Sequence, residues 1–450
     1  MADPPIETEE TIVELETHLL GKDETQEERQ EKGGDQSNEV EGYDHQLEKT
    51  VQRLENLLRF LGFYHSSALS ICLSLVAFLV LGVSIPLLML ELSDSSGIEK
   101  FHIKEFELDI VASQACLAGV SLACISHKLR KYGIRKFIFV DQYGSEIIPF
   151  REEYIQKISD SFRFLLLWVL PCFLLKSARE VICILYLPHE SLWLSISISV
   201  ALIISWTYVT TVSLTASIVF HLVCNLQIIH FENYGKLLER ESDVLVFMEE
   251  HIRLRQNLSK ISHRFRIYLL LEFLVVTASQ FVTLLQTTGY SGMITIINGG
   301  DFAASSIVQV VGLTLCLHTA AKISHRAQGI ASHASKWHAL VTCTSNDSFR
   351  VSSSSSNLDA ANPLSSLRVN SSESDLDSVD YVAIPMNTQL ASYMSSYHKR
   401  QAFVMYLQSN PGGITIFGWT VDRALINTIF FIELSLILFL LGKTLVFTSG

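Results

Sequence analysis

The sequence predicts an all-α, polytopic membrane protein with seven transmembrane helices, its N-terminus cytoplasmic and its C-terminus outside. Three observations predict it. Mean hydropathy over the 450 residues is positive, at +0.30. The apolar residues gather in seven stretches, each long enough for a helix to cross a ~30 Å hydrocarbon core. Lys and Arg concentrate in the connections on one side only.

The stretches are Ser67–Leu92, Leu108–His127, Phe162–Leu187, Leu192–Leu222, Tyr268–Thr288, Phe302–Ala321 and Ala424–Phe447. Lys176, Arg179 and Glu180 interrupt the third, which predicts a wet or re-entrant outer half. On the side of the N-terminus lie the tail with six Lys/Arg, 128–163 with eight, 221–266 with seven and 322–400 with seven, besides Arg423. The opposite side holds Lys100, Lys104, Lys176, Arg179 and Lys443. Cytoplasmic loops carry the positive excess, so this asymmetry orients the chain. The first 60 residues lack the apolar run of a cleavable signal, and the first span is expected to act as its own insertion signal.

Composition divides the chain further. Residues 1–50 read as a disordered acidic cytosolic tail: residues 1–66 hold 17 Asp/Glu against six Lys/Arg, nearly all of the chain's net charge of −12. The membrane body is close to neutral, and no nucleic-acid partner follows from the charge. Residues 51–340 comprise helices one to six with cytosolic helical extensions. Leu54, Leu57, Leu58 and Leu61 give a short amphipathic helix ahead of the first span. No proline falls between Pro188 and Pro363, so spans four to six and their connections can be long unbroken helices. Within 222–260 apolar residues such as Leu226, Ile229, Leu254 and Leu258 recur among dense charge. That pattern suits helices projecting into the cytosol and packing together, or a solvated coil. Residues 341–386 form a Ser-rich insert expected to be disordered. Its Ser371–Ser378 segment suits acidophilic phosphorylation or serves as plain linker. Residues 387–450 read as a split seventh helix: a cytosolic segment from Asn387 to Gln408, a break at Asn410-Pro411-Gly412-Gly413, and the last membrane span.

Nothing in the chain points to catalysis. The eight cysteines are scattered without paired spacing and read as small apolar residues. His318, His325, His333 and His338 are spaced by seven, eight and five, unlike the i, i+4 pairs of helical metal sites. Phosphate-cradling Gly loops and nucleophile motifs are missing, so no catalytic residue, metal or cofactor is expected. The remaining signal is polar residues inside spans: Gln114, Glu272, Gln280, Gln286, Gln309 and Glu433. Glu272, one turn into its span, reads as structural and able to snorkel to the inner surface. Tyr186, Trp193, Gln286 and Tyr290 sit in the outer halves of the spans. They either line a small-molecule pocket or belong to an interfacial aromatic belt.

The ending carries a resemblance. Phe417-Gly418-Trp419-Thr420-Val421-Asp422-Arg423-Ala424-Leu425-Ile426, followed by a last apolar helix, resembles the seventh helix of insect gustatory receptors. Gly418, Asp422 and Arg423 are its motif residues. From about residue 50 to the end, the chain is similar to a plant family of membrane proteins with a domain of unknown function, assigned to that seven-transmembrane chemoreceptor superfamily. The resemblance implies an insect-chemoreceptor-like fold with long cytosolic helices around a central axis. It also implies a homotetramer, a pore lined by each last helix, and an outward-facing pocket for a small molecule. The implied partners are the lipid bilayer, further copies of the chain, an unidentified ligand and permeating ions. The implied location is the plasma membrane, an endomembrane remaining open. Where the insect helix carries Thr-Tyr, five residues and Gln-Phe, this chain has Ser435-Leu436 and Gly442-Lys443. Only Ser435 is conservative, so gating and selectivity need not follow the insect pattern.

At 100° per residue Thr428, Ser435, Phe439 and Gly442 share one face of that helix, with Lys443 at its edge. Used as a pore face, it places a hydrophobic constriction at Phe439 and a basic ring at Lys443, with Glu433 packed laterally. A rotated helix instead puts Glu433 on a cation path. The small residues of the face also suit helix packing. Two functions follow: a ligand-gated ion channel, or a non-conducting membrane scaffold or receptor of the same fold.

Overall fold

The computed structural model describes residues 45–65, 67–92, 98–140, 150–186, 192–238, 243–289, 296–348, 396–421 and 423–446. Almost all of the acidic tail and most of the Ser-rich insert lie outside them, as do Asp422 and Tyr290. In chain order the elements are α1 (45–60), α2 (Ala68–Phe78), α3 (Ile85–Leu92), α4 (Ile98–Tyr132), α5 (Ile134–Phe139), α6 (Arg151–Tyr186) and α7 (Leu192–Leu238). They continue with α8 (Val244–Gly289), α9 (Ile296–Ser348), α10 (Ser396–Ser409), β1 (Thr415–Ile416), β2 (Trp419–Thr420) and α11 (Arg423–Val446). Among the described residues, six segments are long and apolar enough to cross a membrane: Leu69–Glu91, Glu107–Tyr132, Arg151–Leu185, Leu192–Leu238, Val244–Thr283 and Ala304–Thr342. They overlap the first six stretches read from the sequence. The chain divides into two units, one of 1–230, 257–324 and 413–450, the other of 231–256 and 325–412.

The first unit opens with α1. Leu47, Val51, Leu54, Leu58 and Leu61 are buried at alternating spacings of four and three, while Phe60 faces out. Gly62 ends the helix with φ of +85°. The Phe63 N–H donates to Leu58 O at 2.8 Å and the Gly62 N–H to Arg59 O at 3.1 Å, the paired bonds of a Schellman cap. Ser74 Oγ donates to the Gly62 carbonyl at 3.1 Å, so this turn is also pinned to the first span.

That span is not a uniform α-helix. Ser67 caps α2 by accepting from the Leu69 N–H. Between α2 and α3, Leu79–Ser84 widens into a π turn in which the Ile85 N–H reaches back to Val80 O. Pro86 accounts for it. Proline has no N–H and its ring crowds the carbonyl four residues back, and one wide turn shifts the bonding around it. Ser205 Oγ, from α7, donates to Leu81 O at 2.5 Å, within that widened turn.

Burial ranks the helices. The most apolar stretch of Ala304–Thr342 is 72% buried and that of Leu69–Glu91 only 11%, so α9 is central and α2 peripheral. From Ser213 to Phe220 on α7 every residue is buried. Gly133, with φ of +74°, separates α4 from α5. Arg264 stacks on the Tyr132 ring at 4.4 Å and donates to Lys136 O at 2.8 Å, closing the end of α5 with a charge suited to a helix C-terminus.

After α10 the chain does not simply hinge at its Pro-Gly-Gly. β1 and β2 pair as a two-residue-loop hairpin, Thr415 opposite Thr420 and Ile416 opposite Trp419. Phe417 and Gly418 form the loop with φ of 49° and 89°, both positive as a type I′ turn requires. The Ile414 and Thr415 N–H groups donate to Ser324 Oγ and Ser262 Oγ at 3.0 and 3.2 Å. Ile414 and Val421 are buried, Trp419 and Phe417 exposed.

The second unit has an aromatic core. Phe247 meets Trp337 edge-on at 5.4 Å and Phe403 at 6.1 Å. Tyr234 Oη donates to Phe247 O at 2.9 Å, and Tyr406 packs edge-on against His251. Arg255 donates to Asn410 Oδ1 at 2.6 Å, tying α8 to the end of α10. Val246, Leu340 and Met405 remain exposed in a single copy.

The two positive-φ glycines beside the first four helices separate two costs. At Gly62 an added Cβ would lie 2.1 Å from Ser74 Oγ, whereas at Gly133 nothing lies within 4 Å. Gly62→Ala should destabilise the fold by roughly 1–3 kcal/mol and Gly133→Ala by less, because only the backbone strain is common to both. Thermal melts of the detergent-purified variants measure the difference.

Candidate functional site

The π turn borders a cleft of about 500 Å³, its open mouth included. α3, α4, α6 and α7 contribute its walls. Gly82, Pro86 and Leu90 come from the first span, Glu107, Ile110, Val111 and Gln114 from α4, Lys176 and Arg179 from α6, and Leu202, Ser205, Trp206 and Val209 from α7. Gly82 is needed here, since a Cβ would crowd the Phe78 ring at 3.2 Å and Val209 at 3.4 Å.

Charges gather on one wall. Lys176 and Glu180 are both 3% exposed and lie one turn apart on α6, with Nζ 3.1 Å from Oε1. Arg179 donates to the same Glu180 oxygen at 2.7 Å and, with its other nitrogen, to Glu107 Oε1 at 2.9 Å. Two cations here meet two carboxylates. Balance matters because an uncompensated charge inside a bilayer costs several kcal/mol. α6 runs unbroken from Arg151 to Tyr186 through these residues. The expected wet or re-entrant outer half is therefore corrected: pairing between α4 and α6 lets the helix stay continuous and the charges stay buried.

Behind the cleft wall, two donors have no acceptor among the described residues. Gln114 Nε2 and Trp206 Nε1 are buried without a hydrogen-bond partner, each residue being 7% exposed. A buried N–H without an acceptor costs about 1–3 kcal/mol, so such groups mark a place where a ligand or water supplies the missing oxygen.

The other intramembrane polar residues bind helices together. Gln280 Nε2 donates to Gln309 Oε1 at 3.5 Å, and Gln309 Nε2 to Ser113 Oγ at 3.2 Å, linking α8, α9 and α4. Glu272 is 1% exposed and accepts from Ser217 Oγ at 3.0 Å, beside Gly312. It does not snorkel to a surface; the Ser217 hydroxyl on α7 holds it inside.

On α11, Thr428 and Ser435 donate back to Ala424 O and Phe431 O at 3.0 and 2.6 Å, and both are exposed in a single copy. Phe439 is half exposed. Ile426, Ile429 and Phe430 meet Leu313, Thr314 and Leu317 of α9 across a small crevice. Gly442 and Lys443 lie in the last turns of the helix, and their side chains and those of Glu433 and Arg423 are outside the described residues. Gly418 occupies the positive-φ place of the hairpin loop. Of the residues read as a possible pocket, Trp193 is 82% exposed at the start of α7 and does not line the cleft. The side chains of Tyr186 and Gln286, and Tyr290 altogether, are outside the described residues. Gln114, Lys176, Arg179 and Glu180 stood out in the sequence as polar residues in apolar runs. Glu107, Ser205 and Trp206 did not, because nothing local distinguishes them; the one signal for Glu107 was an acid in the outer connection facing unmatched cations of span three.

Removing one member of the charge network should show its weight. Glu180→Gln takes away the carboxylate that Lys176 and Arg179 share, a loss expected to cost about 3–5 kcal/mol. The thermal melt in detergent reads this as a fall far larger than for Arg59→Gln, whose partner Glu55 lies on the exposed side of α1.

Comparison with known proteins completes the site's setting. No curated protein sequence matches the chain. Among solved structures it is similar to the insect olfactory receptor OR5 from Machilis hrabei, both alone and in complex with eugenol. In each case the TM-score is 0.51 at 13% identity, over 89% of this chain and 99% of that one. At that identity the likeness speaks for the fold alone. A family model described as "Protein of unknown function (DUF3537)" matches residues 49–432. With most of its length covered, the chain belongs to that DUF3537 family.

Proposed function

We propose that the protein is a ligand-gated ion channel of chemoreceptor type, a homotetramer in the plasma membrane, with α11 as the seventh span lining the pore. The observation that carries this reading is the disposition of α11. One face, Ile426, Ile429 and Phe430, packs on α9, and the opposite face, Thr428, Ser435 and Phe439, stands uncovered in a single copy. A helix packed on one side and polar-hydroxyl on the other suits a wall between subunit and conduit. Helical register puts position 433 about 20° from position 426, on the packed face, and position 435 about 180° from it. Glu433 is thus proposed to sit laterally, and Phe439, Gly442 and Lys443 toward the conduit.

The rest of the assembly follows from charge and apolar surface. With the N-terminus inside, the first span ends outside, so the cleft at Pro86, Glu107 and Arg179 opens to the outer side and is the proposed ligand site. The similar olfactory receptor is described in complex with eugenol. The second unit is proposed to be the cytosolic anchor, where Val246, Leu340 and Met405 meet other copies. Residues 1–50 and 341–386 are proposed to be tail and linker outside this assembly.

Reconstitution with current recording tests the reading. Phe439→Ala widens a desolvating constriction and should raise basal current. Lys443→Glu replaces up to four positive charges at the outer mouth, so cation permeability should rise relative to anion permeability. Glu433→Gln should reduce folding or assembly and spare selectivity. If Glu433→Gln instead shifts selectivity while the Phe439 and Lys443 variants leave currents alone, the helix is rotated the other way. Assembled protein silent to a broad panel of small molecules would favour a non-conducting receptor or scaffold of the same fold.

A further inference from the structure

We propose that α6, α7 and α9 together bind the phosphomonoester headgroup of a membrane lipid where they leave the bilayer. The inference is independent of conduction and takes from the proposed topology only the leaflet, which is the inner one. The residues are Lys157 on α6, His221 on α7, and His318 and Lys322 on α9. All four stand where an apolar stretch gives way to polar chain. His221 and Lys322 adjoin the ends of the stretches that close at Leu222 and Ala321, and His318 lies one turn inside the latter. Lys157 precedes the stretch opening at Phe162 by five residues, about 7 Å of helix. Among the described residues, Lys157, His318 and Lys322 are near enough to act on His221 electrostatically, and no carboxylate is. None of the four makes an ion pair with a described residue. Asp160, one turn after Lys157, pairs with Arg163 at 3.7 Å, and Glu153, one turn before it, is exposed. Basic groups gathered from three helices without an acid are complementary to an anion from outside the chain.

His221 sets the chemistry of that anion. Its ring stacks on Phe164 at 5.4 Å with 18° between the planes, and its Nδ1 lies 2.7 Å from Thr319 Oγ1. The Thr319 hydroxyl donates its single proton to Leu315 O at 2.7 Å. Toward the imidazole it can therefore only accept, and Nδ1 carries the hydrogen. Nε2 is the nitrogen left for a ligand: it has no hydrogen bond among the described residues and, unlike the donors of Gln114 and Trp206, is not sealed from solvent. A phosphomonoester suits it in either protonation state. The last phosphate proton leaves at about pH 6, so its P–OH donates to a bare Nε2, or the dianion accepts from a protonated one. A phosphodiester brings one charge and no such proton. The depth of the site identifies the source. At the border of the hydrocarbon the anions at hand are lipid headgroups, and the cytoplasmic leaflet is the anionic one. Dissolved phosphate has the same chemistry but no apolar tail to hold it at this level.

Isothermal titration and thermal shift on the purified full chain in neutral detergent test this without recording current. The probes are dioctanoyl phosphatidate and dioctanoyl phosphatidylinositol monophosphate, which end in a monoester, dioctanoyl phosphatidylglycerol, a diester, and inorganic phosphate. Both monoester lipids should bind roughly tenfold tighter than the diester, as expected where one more charge-assisted bond is made. Inorganic phosphate should bind more weakly than either monoester lipid by at least as much. His221→Asn keeps an N–H for Thr319 and removes Nε2, so the two lipid classes should become equal. Lys157→Gln and Lys322→Gln should each weaken monoester binding roughly fivefold, as loss of a basic group beside an anionic headgroup does. Arg53→Gln, which removes the same charge from an exposed position on α1, should change nothing. Lys322 is exposed, so its variant tests the site even where His221→Asn melts early. Equal binding of monoester and diester lipids by the unaltered chain, or inorganic phosphate binding as tightly as phosphatidate, would overturn the proposal. So would lysine variants that behave like Arg53→Gln, or a monoester preference that survives His221→Asn. Monoester binding in a protein that passes no current would leave this inference standing and count against the channel reading. No lipid binding in a protein that conducts would do the reverse.

Discussion

A polar group inside a bilayer must find its partner within the protein, and the first unit is built around that constraint. No water reaches the hydrocarbon to satisfy a stray N–H or a bare charge. The buried quartet of Lys176, Glu180, Arg179 and Glu107 is its most demanding case. Once α6 carries three charges within five residues, α4 must supply a fourth at the same depth, and that requirement sets the two helices against each other. The same logic explains the π turn before Pro86, where the helix rearranges rather than strand its carbonyls and Ser205 adds a bond to Leu81 O. Glu272 obeys it as well, turned inward to Ser217 where Gly312 leaves room.

The membrane spans were legible because bilayer thickness imposes one length on every crossing helix, and apolar runs of that length are conspicuous. Pro86 and the charged stretch of α6 were visible too, but their consequence was not. Lys176, Arg179 and Glu180 in an apolar run read locally as a break or a wet segment. Only the position of Glu107, 69 residues before Lys176, turns them into a paired and continuous helix. The hairpin at 415–420 was illegible for a different reason. Pro411-Gly412-Gly413 is a strong breaker signal, and Phe417-Gly418 is not the usual Asn-Gly of a type I′ turn. The turn is held instead by tertiary bonds from Ser262 and Ser324 to the backbone. The orphan donors Gln114 and Trp206 belong to the same class, since a residue's lack of a partner is a property of its surroundings.

These constraints also connect the cleft with α11. Gln114 lines the cleft, and its chain neighbour Ser113 accepts from Gln309 on α9, which in turn binds Gln280 on α8. One and two turns further along α9, Leu313 and Leu317 form the surface that Ile426 and Phe430 of α11 rest on. Spatial continuity alone does not transmit a signal; a two-state element biased from one end is required.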